Sequence, residues 1–304
     1  MARRSMLLAG LVGATAALAM ATPATAAPNC RNAVTPRTIA SGLGTLESVI
    51  AGPDGRLYFT ADGGLLRISR PGRTPQTVTR PVEAPGGLVV DGRHLILGYG
   101  TSIAGGVGGN LAPRAGLLRI DPRTGDSQVL VRGLQMANGL ARGRDGTIYA
   151  SNDFGIGIDR VRGTRVELNW ATTISGNGLV LSKDGRSLYA AQTFQPAAIQ
   201  RIAVDRPKQP STFARPDGPL DIFAGLDGMT RDGSDRLFVA ANLFGEVWRV
   251  DRAGQICVVA RGLNMPSAVA FGGGKRGFER RNLYVVEFGG RVSELAGARN
   301  ARSR

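Results

Sequence analysis

The amino-acid sequence predicts an all-β protein, a six-bladed β-propeller whose last blade is completed by a strand from the N-terminal end of the chain. Three observations support this architecture: 44 glycines among 304 residues, many short apolar runs, and a repeated unit of about 40 residues. Short strands joined by glycine-rich turns are typical of all-β folds. Four-stranded propeller blades repeat at a spacing of roughly 40 residues, which matches the repeat found here.

The start of the chain, residues 1–26, has the features of a secretory signal peptide. Arg3 and Arg4 form a charged start, an apolar segment follows, and Ala24-Thr25-Ala26 matches an A-x-A cleavage site. The mature chain is therefore expected to begin near Ala27, in the cell envelope of a bacterium or outside the cell. The apolar segment is too short for a membrane span, and both the general secretory and the twin-arginine export routes remain open.

The net charge limits the class of partner. The chain carries a formal charge of +15, spread along its whole length and mostly on arginine. A nucleic-acid-binding surface is expected to concentrate such charge in a basic stripe with interleaved aromatic residues, and no such stripe is visible. We therefore predict no nucleic-acid partner. We also predict a monomer, in which residues 27–296 form the propeller and residues 297–304 form a disordered tail.

The repeated unit opens with a polar or small residue, continues through an apolar run and a tight turn, and ends in an apolar strand. Six copies are found, beginning at Glu47, Gly86, Asn138, Asn177, Asp227 and Ser267. Successive copies start 39, 52, 39, 50 and 40 residues apart. The two long intervals contain insertions, a glycine-rich one at residues 101–115 and a proline-rich one at residues 205–226. Each insertion is either a tolerated surface loop or a lid over a site.

The last copy contains only three strand patterns, which would leave an open sheet edge. The short strand pattern at Thr38-Ile39-Ala40 has no partner of its own and is the segment expected to complete that blade. This closure would bring Cys30 close to Cys257, on the outer strand of the fifth blade. Two cysteines in an exported chain favour a disulfide between them, and two buried thiols are the alternative.

The leading residues Glu47, Asn138, Asn177 and Asp227 occupy the same register of four copies. In a propeller the innermost strands line a central channel, so these residues would converge at one mouth. Two carboxylates and two amide oxygens suit a hard divalent ion, most often Ca²⁺, with Zn²⁺, Mn²⁺ or Mg²⁺ as alternatives. The carboxylates would repel each other without a cation. The alternative interpretation is that each residue only caps a turn at the start of its strand.

These repeats resemble the regucalcin/gluconolactonase family, and more distantly the paraoxonases, over nearly the whole mature chain. The resemblance rests on the Glu of ESVIAGPDGRLYF, the NGL of the third and fourth copies and the DGM of the fifth. It implies a divalent metal, often calcium, and hydrolysis of lactones or esters. It also implies that Glu47, Asn177 and Asp227 are metal ligands and that Asn138 is a ligand or a substrate contact.

The same resemblance suggests roles in catalysis. Asp227 and Glu47 are the candidate bases, and Asp153 is a substrate contact or a further base if its loop turns inward. Two positions depart from the family patterns. Met136 stands where sugar lactonases often carry arginine, and Phe154 stands where paraoxonases carry histidine. The only histidine, His94, lies in an apolar strand pattern and is interpreted as structural.

We therefore predict a secreted, divalent-metal-dependent hydrolase that acts on a small-molecule lactone or ester. A non-catalytic propeller, binding a ligand or partner around a structural calcium ion, is the main alternative. A strictosidine-synthase-like enzyme is a third possibility, and the four oxygen ligands argue against it because that class needs no metal.

Overall fold

The computed structural model of the protein describes residues 27–303 except 80, 195 and 219. The predicted signal peptide, residues 1–26, lies outside the described residues. Almost all regular structure in the described part is β-strand. The strands, in chain order, are β1 (Arg37–Ala40), β2 (Leu46–Ala51), β3 (Leu57–Ala61), β4 (Gly64–Ile68), β5 (Gln76–Thr79), β6 (Pro85–Asp91), β7 (His94–Tyr99), β8 (Ala115–Ile120), β9 (Ser127–Leu134), β10 (Leu140–Arg142), β11 (Ile148–Ser151), β12 (Gly157–Arg162), β13 (Arg165–Thr172), β14 (Gly176–Leu181), β15 (Ser187–Gln192), β16 (Ala198–Ala203), β17 (Ser211–Ala214), β18 (Leu226–Arg231), β19 (Leu237–Ala241), β20 (Glu246–Val250), β21 (Ile256–Ala260), β22 (Pro266–Phe271), β23 (Leu283–Glu287) and β24 (Val292–Leu295).

These strands form six antiparallel four-stranded sheets, which are the blades of a six-bladed propeller as the sequence predicts. Blades 1 to 5 are consecutive groups of four strands, beginning at β2, β6, β10, β14 and β18. Blade 6 has the order β22, β23, β24 and then β1. The first strand of each blade contacts the first strands of the two neighbouring blades, so these six strands surround the central channel.

Both ends of the described chain meet in blade 6. Strand β1 pairs with β24 through Arg37 opposite Glu294 and Thr38 opposite Ser293. The Arg37 guanidinium also forms an ion pair with the Glu294 carboxylate. The outermost strand of the last blade therefore comes from the N-terminal end of the described chain. This pairing leaves β24 with hydrogen-bonded neighbours on both sides.

A disulfide joins Cys30 to Cys257, as the sequence predicts, and it links positions 227 residues apart. The backbone around it continues the sheet of blade 5. The Cys30 amide donates to the Val258 carbonyl (2.8 Å), and the Val258 amide donates to the Pro28 carbonyl (2.8 Å). The segment before β1 is therefore attached to the outer strand β21 by backbone hydrogen bonds as well as by the covalent bond.

The C-terminal segment differs from the prediction of a disordered tail over residues 297–304. Residues Ala298–Asn300 form a 3₁₀ turn, and Arg302 pairs with Arg31 in an antiparallel bridge. Ala298 and Ala301 are buried in the apolar cluster that also contains Cys30. The alternation of alanine with arginine explains the difference, because the small apolar side chains pack inward while the arginines remain at the surface. Arg304 lies outside the described residues.

The core of the protein lies between neighbouring blades. One cluster, for example, packs Tyr58 and Leu65 of blade 1 against Leu88, Leu95 and Leu97 of blade 2. Apolar side chains on both faces of each inner strand are buried in this way. Burial of about 25 cal/mol per Å² of apolar surface makes these contacts the main stabilising term. They also fix the relative positions of the inner strands, and these strands carry the predicted site.

Candidate functional site

Three of the predicted ligands lie at β-bulges near the start of inner strands. In blade 1, Leu46 and Val49 pair with Ala61 and Phe59, so Glu47 and its neighbour face a single residue of β3. The same irregularity occurs between Gly176 and Leu179 in blade 4 and between Leu226 and Met229 in blade 5. A bulge turns the side chain of its extra residue away from the usual alternation. The bulges thereby direct Glu47, Asn177 and Asp227 towards the channel mouth.

The glycine that follows a ligand in the NGL and DGM motifs lies so close to the neighbouring blade that no side chain fits there. A Cβ atom on Gly139 would lie 2.1 Å from the Asn177 carbonyl oxygen, and one on Gly178 would lie 2.4 Å from the Asp227 carbonyl oxygen. Any side chain at these positions would push adjacent inner strands apart. The glycines therefore allow the leading residues of blades 3, 4 and 5 to approach one another closely.

Polar side chains tie the starts of the inner strands together from blade to blade, and sequence reasoning missed them. Ser151 is the clearest example, because its hydroxyl accepts from the Gly139 amide (2.8 Å) and donates to the Asn177 carbonyl (2.6 Å). Four other junctions carry a comparable bond: Thr60 to the Gly86 carbonyl, Thr193 to the Leu226 carbonyl, Asn242 to the Pro266 carbonyl and Ser267 to the Leu46 carbonyl. We call these side chains the junction belt. For four of them the signal in the sequence is a hydroxyl or amide residue at or next to the end of the second strand pattern, whereas Ser267 lies on the first strand of its blade.

The structure brings all four predicted leading residues together. Glu47, Asn138, Asn177 and Asp227 line one cavity of about 60 Å³ in the channel. Asp227 is 4% exposed, Asn177 5% and Asn138 7%, whereas Glu47 is half-buried. The Asn177 amide nitrogen donates to Thr193 (3.0 Å), and a hydroxyl oxygen therefore satisfies that end of the side chain. Two carboxylates and two amides thus share a space large enough for an ion and a water.

Asp153, predicted as a substrate contact, lies near this set and adds a third carboxylate. Burial and the charge of Asp153 raise the pKa of Glu47 to about 8. Burial is the main cause that holds the pKa of Asp227 well above its usual range, and the charges of Glu47 and Asp153 add to it in that order. Burial also raises the pKa of Asp153, against the opposing effect of Asn138. Each carboxylate is therefore destabilised as an anion by its surroundings.

The residues present fit a cation. None of the ion pairs among the described residues involves Glu47, Asp153 or Asp227. The Asp153 Oδ1 atom is buried and has no hydrogen-bond partner, which is costly unless a further group satisfies it. Across the described residues, no group of three or more His, Cys, Asp or Glu side chains is arranged to hold a metal ion by itself. The oxygen set here is different in kind, because asparagine amides supply part of it.

An apolar ring closes the channel on the far side of this cavity. Six side chains, one from each inner strand, line both this cavity and a second one of about 290 Å³ beyond it: Val49, Leu88, Leu140, Leu179, Met229 and Val269. Because these side chains are apolar, they offer no polar partner to a charged or hydrated molecule that passes between the two cavities. A molecule that reaches the carboxylates therefore approaches from the mouth formed by the loops before the inner strands.

The glycine-rich insertion contains a short helix beside that mouth. Helix α1 (Ile103–Gly109) is capped by Ser102, whose side chain accepts from the Gly105 amide. The Asn152 side chain donates to the Gly106 carbonyl (3.1 Å) and accepts from the Phe154 amide (3.0 Å). The helix is thus attached to the turn that carries Asp153. The sequence predicts a surface loop or a lid for this insertion and does not predict helix α1.

The remaining residues singled out in the sequence surround the site or lie elsewhere. Phe154 packs against Phe194, with ring centroids 5.5 Å apart, directly after Asp153 in the chain. Met136 is buried, near the position where a Cβ on Gly106 would project. His94 begins β7 and lines a separate surface cavity with Arg119 and Asp121. Met136 and Phe154 thus both lie against Gly106 of helix α1, and the set that lines the 60 Å³ cavity contains no histidine.

Comparisons with known proteins agree with this fold. Residues 158–287 match the model of the SMP-30/Gluconolactonase/LRE-like region, which confirms the predicted resemblance. No curated protein sequence matches the chain. A gluconolactonase from Xanthomonas campestris has a similar structure, with a TM-score of 0.69 and 18% identity, covering 91% of this chain and 99% of that one.

Two further solved structures share the fold. A calcium-binding protein, regucalcin, from Agrobacterium tumefaciens strain C58 has a TM-score of 0.66 and 17% identity, covering 92% of this chain and 97% of that one. Virginiamycin B lyase from Staphylococcus aureus has a TM-score of 0.55 and 16% identity, covering 86% of this chain and 87% of that one. Proteins of different activity thus share this propeller, and the function must be argued from the site.

Proposed function

We propose that this gluconolactonase-like propeller is a secreted, divalent-metal-dependent hydrolase of small lactones or esters. One observation carries the proposal. Glu47 and Asp227 line one cavity at the channel mouth, the charge of Asp153 adds to burial in raising the pKa of both, and no ion pair among the described residues neutralises these three carboxylates. Three mutually repelling carboxylates are stable together when a cation balances them. The match to the gluconolactonase-like family supports the same conclusion.

Glu47, Asn138, Asn177 and Asp227 would hold the ion, and an all-oxygen set of this kind favours calcium over softer metals. When bound, a divalent ion supplies positive charge that polarises a carbonyl group and lowers the pKa of a nearby water. Asp153 lies at the edge of the set and can contact either the ion or the substrate. Blades 2 and 6 open with Gly86 and Ser267 and contribute no carboxylate or amide ligand to the set.

Asp227 is the side chain that we assign as general base, with Glu47 as the alternative. Burial and the Glu47 and Asp153 charges hold its pKa above the usual range, which is the direction that a general base requires. Its Oδ2 atom accepts from the Asn242 amide nitrogen at 3.4 Å. Because Asn242 also donates to the Pro266 carbonyl (3.1 Å), it is fixed between two blades and orients the carboxylate. Asn138 and Asp153 would position the substrate carbonyl above it.

Secretion is part of the proposal, and the sequence of residues 1–26 and the disulfide support it. The Cys30–Cys257 bond is compatible with an oxidising compartment. No helix in the described part of the chain is long and apolar enough to cross a membrane. An exported enzyme would meet lactones or esters outside the cytoplasm.

A non-catalytic, ligand-binding propeller is the second candidate, and the size of the cavity favours it. The space between the leading residues is about 60 Å³, whereas small-molecule pockets are commonly about 300–1,000 Å³. A substrate must therefore lie above the cavity, between helix α1 and Phe194, for hydrolysis to occur. In the alternative, the ion only holds the blades together and the mouth binds a ligand without reaction.

One experiment separates these functions. The purified protein is assayed against a panel of lactones and aryl esters with added Ca²⁺, Mn²⁺, Zn²⁺ or Mg²⁺, beside the variants Asp227→Asn and Asp217→Asn. Asp217 is exposed and serves as a matched control. We expect hydrolysis by the wild type and the control, and a loss of about a thousandfold or more for Asp227→Asn, which lacks the base. Metal binding without hydrolysis of any panel member would instead establish the non-catalytic candidate.

A further inference from the structure

The first described residue, Ala27, lies in a preformed pocket. Its methyl group belongs to the buried apolar cluster that contains Ala224 and Trp248. Its nitrogen donates to the Asp221 Oδ2 atom at 3.2 Å, and its carbonyl oxygen accepts from the Arg261 guanidinium at 3.1 Å. The protein therefore recognises the nitrogen, the side chain and the carbonyl of this one residue.

The electrostatics of the pocket call for one more positive charge. Asp221 is 3% exposed. Among the described residues, the Ala27 nitrogen is the only group that donates a hydrogen bond to the Asp221 carboxylate. The Arg261 guanidinium forms an ion pair with Glu246. The charge of Asp221 adds to burial, the larger cause, in raising the pKa of Glu246. The guanidinium is thus paired with Glu246, none of the ion pairs among the described residues involves Asp221, and a buried charge without a partner is strongly destabilising.

We propose that removal of the leader after Ala26 creates the missing charge: the α-ammonium of Ala27, which forms a buried ion pair with Asp221. Cleavage hydrolyses the Ala26–Ala27 peptide bond, so water adds a carboxyl group to Ala26 and leaves an amine on Ala27. That amine is protonated at neutral pH and replaces a neutral amide donor. The A-x-A sequence at Ala24-Thr25-Ala26 places the expected cleavage at this bond.

The segment after Ala27 keeps the new terminus in place. The Pro28 carbonyl accepts from the Val258 amide (2.8 Å), Asn29 accepts from Arg261 (3.1 Å), and Cys30 is bonded to Cys257. The terminus is thus fixed three residues from a covalent anchor, and little conformational freedom remains to be lost when it binds. The pocket is a recognition site for a processed N-terminus, and it couples leader removal, which the proposed secretion requires, to the stability of blades 4 and 5.

The test compares three forms of the disulfide-bonded protein: one beginning at Ala27 with a free amine, one N-acetylated at Ala27, and one extended by a single glycine. The acetyl and glycine forms retain an N–H at Ala27 but lack the charge there. Each form is made with Asp221 and with Asp221→Asn, and unfolding by urea is measured at neutral pH. Asp217→Asn, on the same loop and exposed, is the matched control. The first residue of the exported protein is determined separately by N-terminal sequencing.

We expect the free-amine form to have an unfolding equilibrium constant about tenfold or more smaller than the other two forms. The difference should vanish in Asp221→Asn and persist in Asp217→Asn. Exported protein should begin at Ala27. Equal stability of the three forms, or a difference that survives Asp221→Asn, would overturn the ion pair. A mature terminus at another residue would overturn the cleavage site without bearing on the hydrolase, whose activity is measured independently.

Discussion

The charge of Asp153 in blade 3 acts on the carboxylate of Glu47 in blade 1, at the mouth of the propeller. The charge of Asp153 acts with burial to raise the pKa of Glu47 to about 8. Asp227, from blade 5, adds a third negative charge to the same place. The fold therefore concentrates acidic groups where they destabilise one another, an arrangement that occurs at functional sites and calls for a cation.

Asp153→Asn is expected to change stability in opposite directions with and without calcium. In EDTA the substitution removes one repelling charge at nearly constant shape, so the free energy of unfolding should rise by about 1 kcal/mol. In excess calcium the stabilisation caused by the ion should become smaller, because one oxygen charge is lost. Thermal unfolding with EDTA and with calcium measures both effects. A variant that is less stable in EDTA and keeps the full calcium effect would contradict the assignment of Asp153 to the cluster.

The junction belt is expected to be sensitive at Ser151. Ser151→Ala leaves the Gly139 amide and the Asn177 carbonyl without their shared partner. An unsatisfied buried polar group costs about 1–3 kcal/mol, so the free energy of unfolding should fall by that amount. Ser211→Ala, on the exposed outer strand β17, is the matched control and should change stability by less than about 0.5 kcal/mol. Equal effects of the two substitutions in urea unfolding would show that the belt contributes nothing.

Asp232 is expected to support stability at neutral pH and to lose that effect in acid. Burial acts to raise its pKa, but the Arg236 side chain and the amides of Ser234 and Arg236 outweigh burial and lower the pKa below the usual 3.8. A group with a lowered folded pKa stabilises above its unfolded value and loses this contribution as the pH falls through the folded value. Asp232→Asn should therefore lower stability by about 1–2 kcal/mol at pH 7 and by progressively less below pH 4.

The control for this prediction is Asp205→Asn, since the Asp205 side chain is 80% exposed. We expect it to change stability little at any pH. Urea unfolding at several pH values measures both variants. If the loss in Asp232→Asn is as large at pH 3 as at pH 7, the ionised carboxylate of Asp232 is not the stabilising group.

The disulfide is expected to contribute strongly because it closes a long loop. Replacing Cys30 and Cys257 together by serine should lower the free energy of unfolding by about 2–5 kcal/mol. Reducing agent should lower the melting temperature of the wild type and leave that of the double variant unchanged. A double variant as stable as the oxidised wild type would show that the hydrogen bonds to β21 hold the N-terminal segment without the covalent bond.

Much of the fold follows from the sequence because repetition carries it. The spacing of the turns and the apolar runs predicts six blades, and the register of Glu47, Asn138, Asn177 and Asp227 predicts that they meet. Convergence follows from topology alone, since the inner strands of a propeller start at the same mouth. Pairing of the cysteines follows from the same argument, because Cys257 lies on an outer strand.

The remaining features depend on contacts that no repeat encodes. The role of Ser151 becomes visible only when the Asn177 carbonyl lies 2.6 Å from its hydroxyl. Helix α1 forms in a glycine-rich segment of low helix propensity because Gly106 packs against Asn152 and Phe154. The C-terminal turn forms because Ala298 and Ala301 find an apolar cluster assembled from distant parts of the chain. Local sequence indicates neither of these tertiary contacts.

The most direct measurement is a calorimetric titration of the metal-free wild type and of Asp227→Asn with calcium. We expect the wild type to bind one ion per chain at this mouth, and Asp227→Asn to bind on the order of a hundredfold more weakly, because a charged oxygen ligand is lost. Asp217→Asn should bind as the wild type does. Absence of binding of any divalent ion by the wild type, or equal affinity in Asp227→Asn, would contradict a cation site built from Glu47, Asn177 and Asp227.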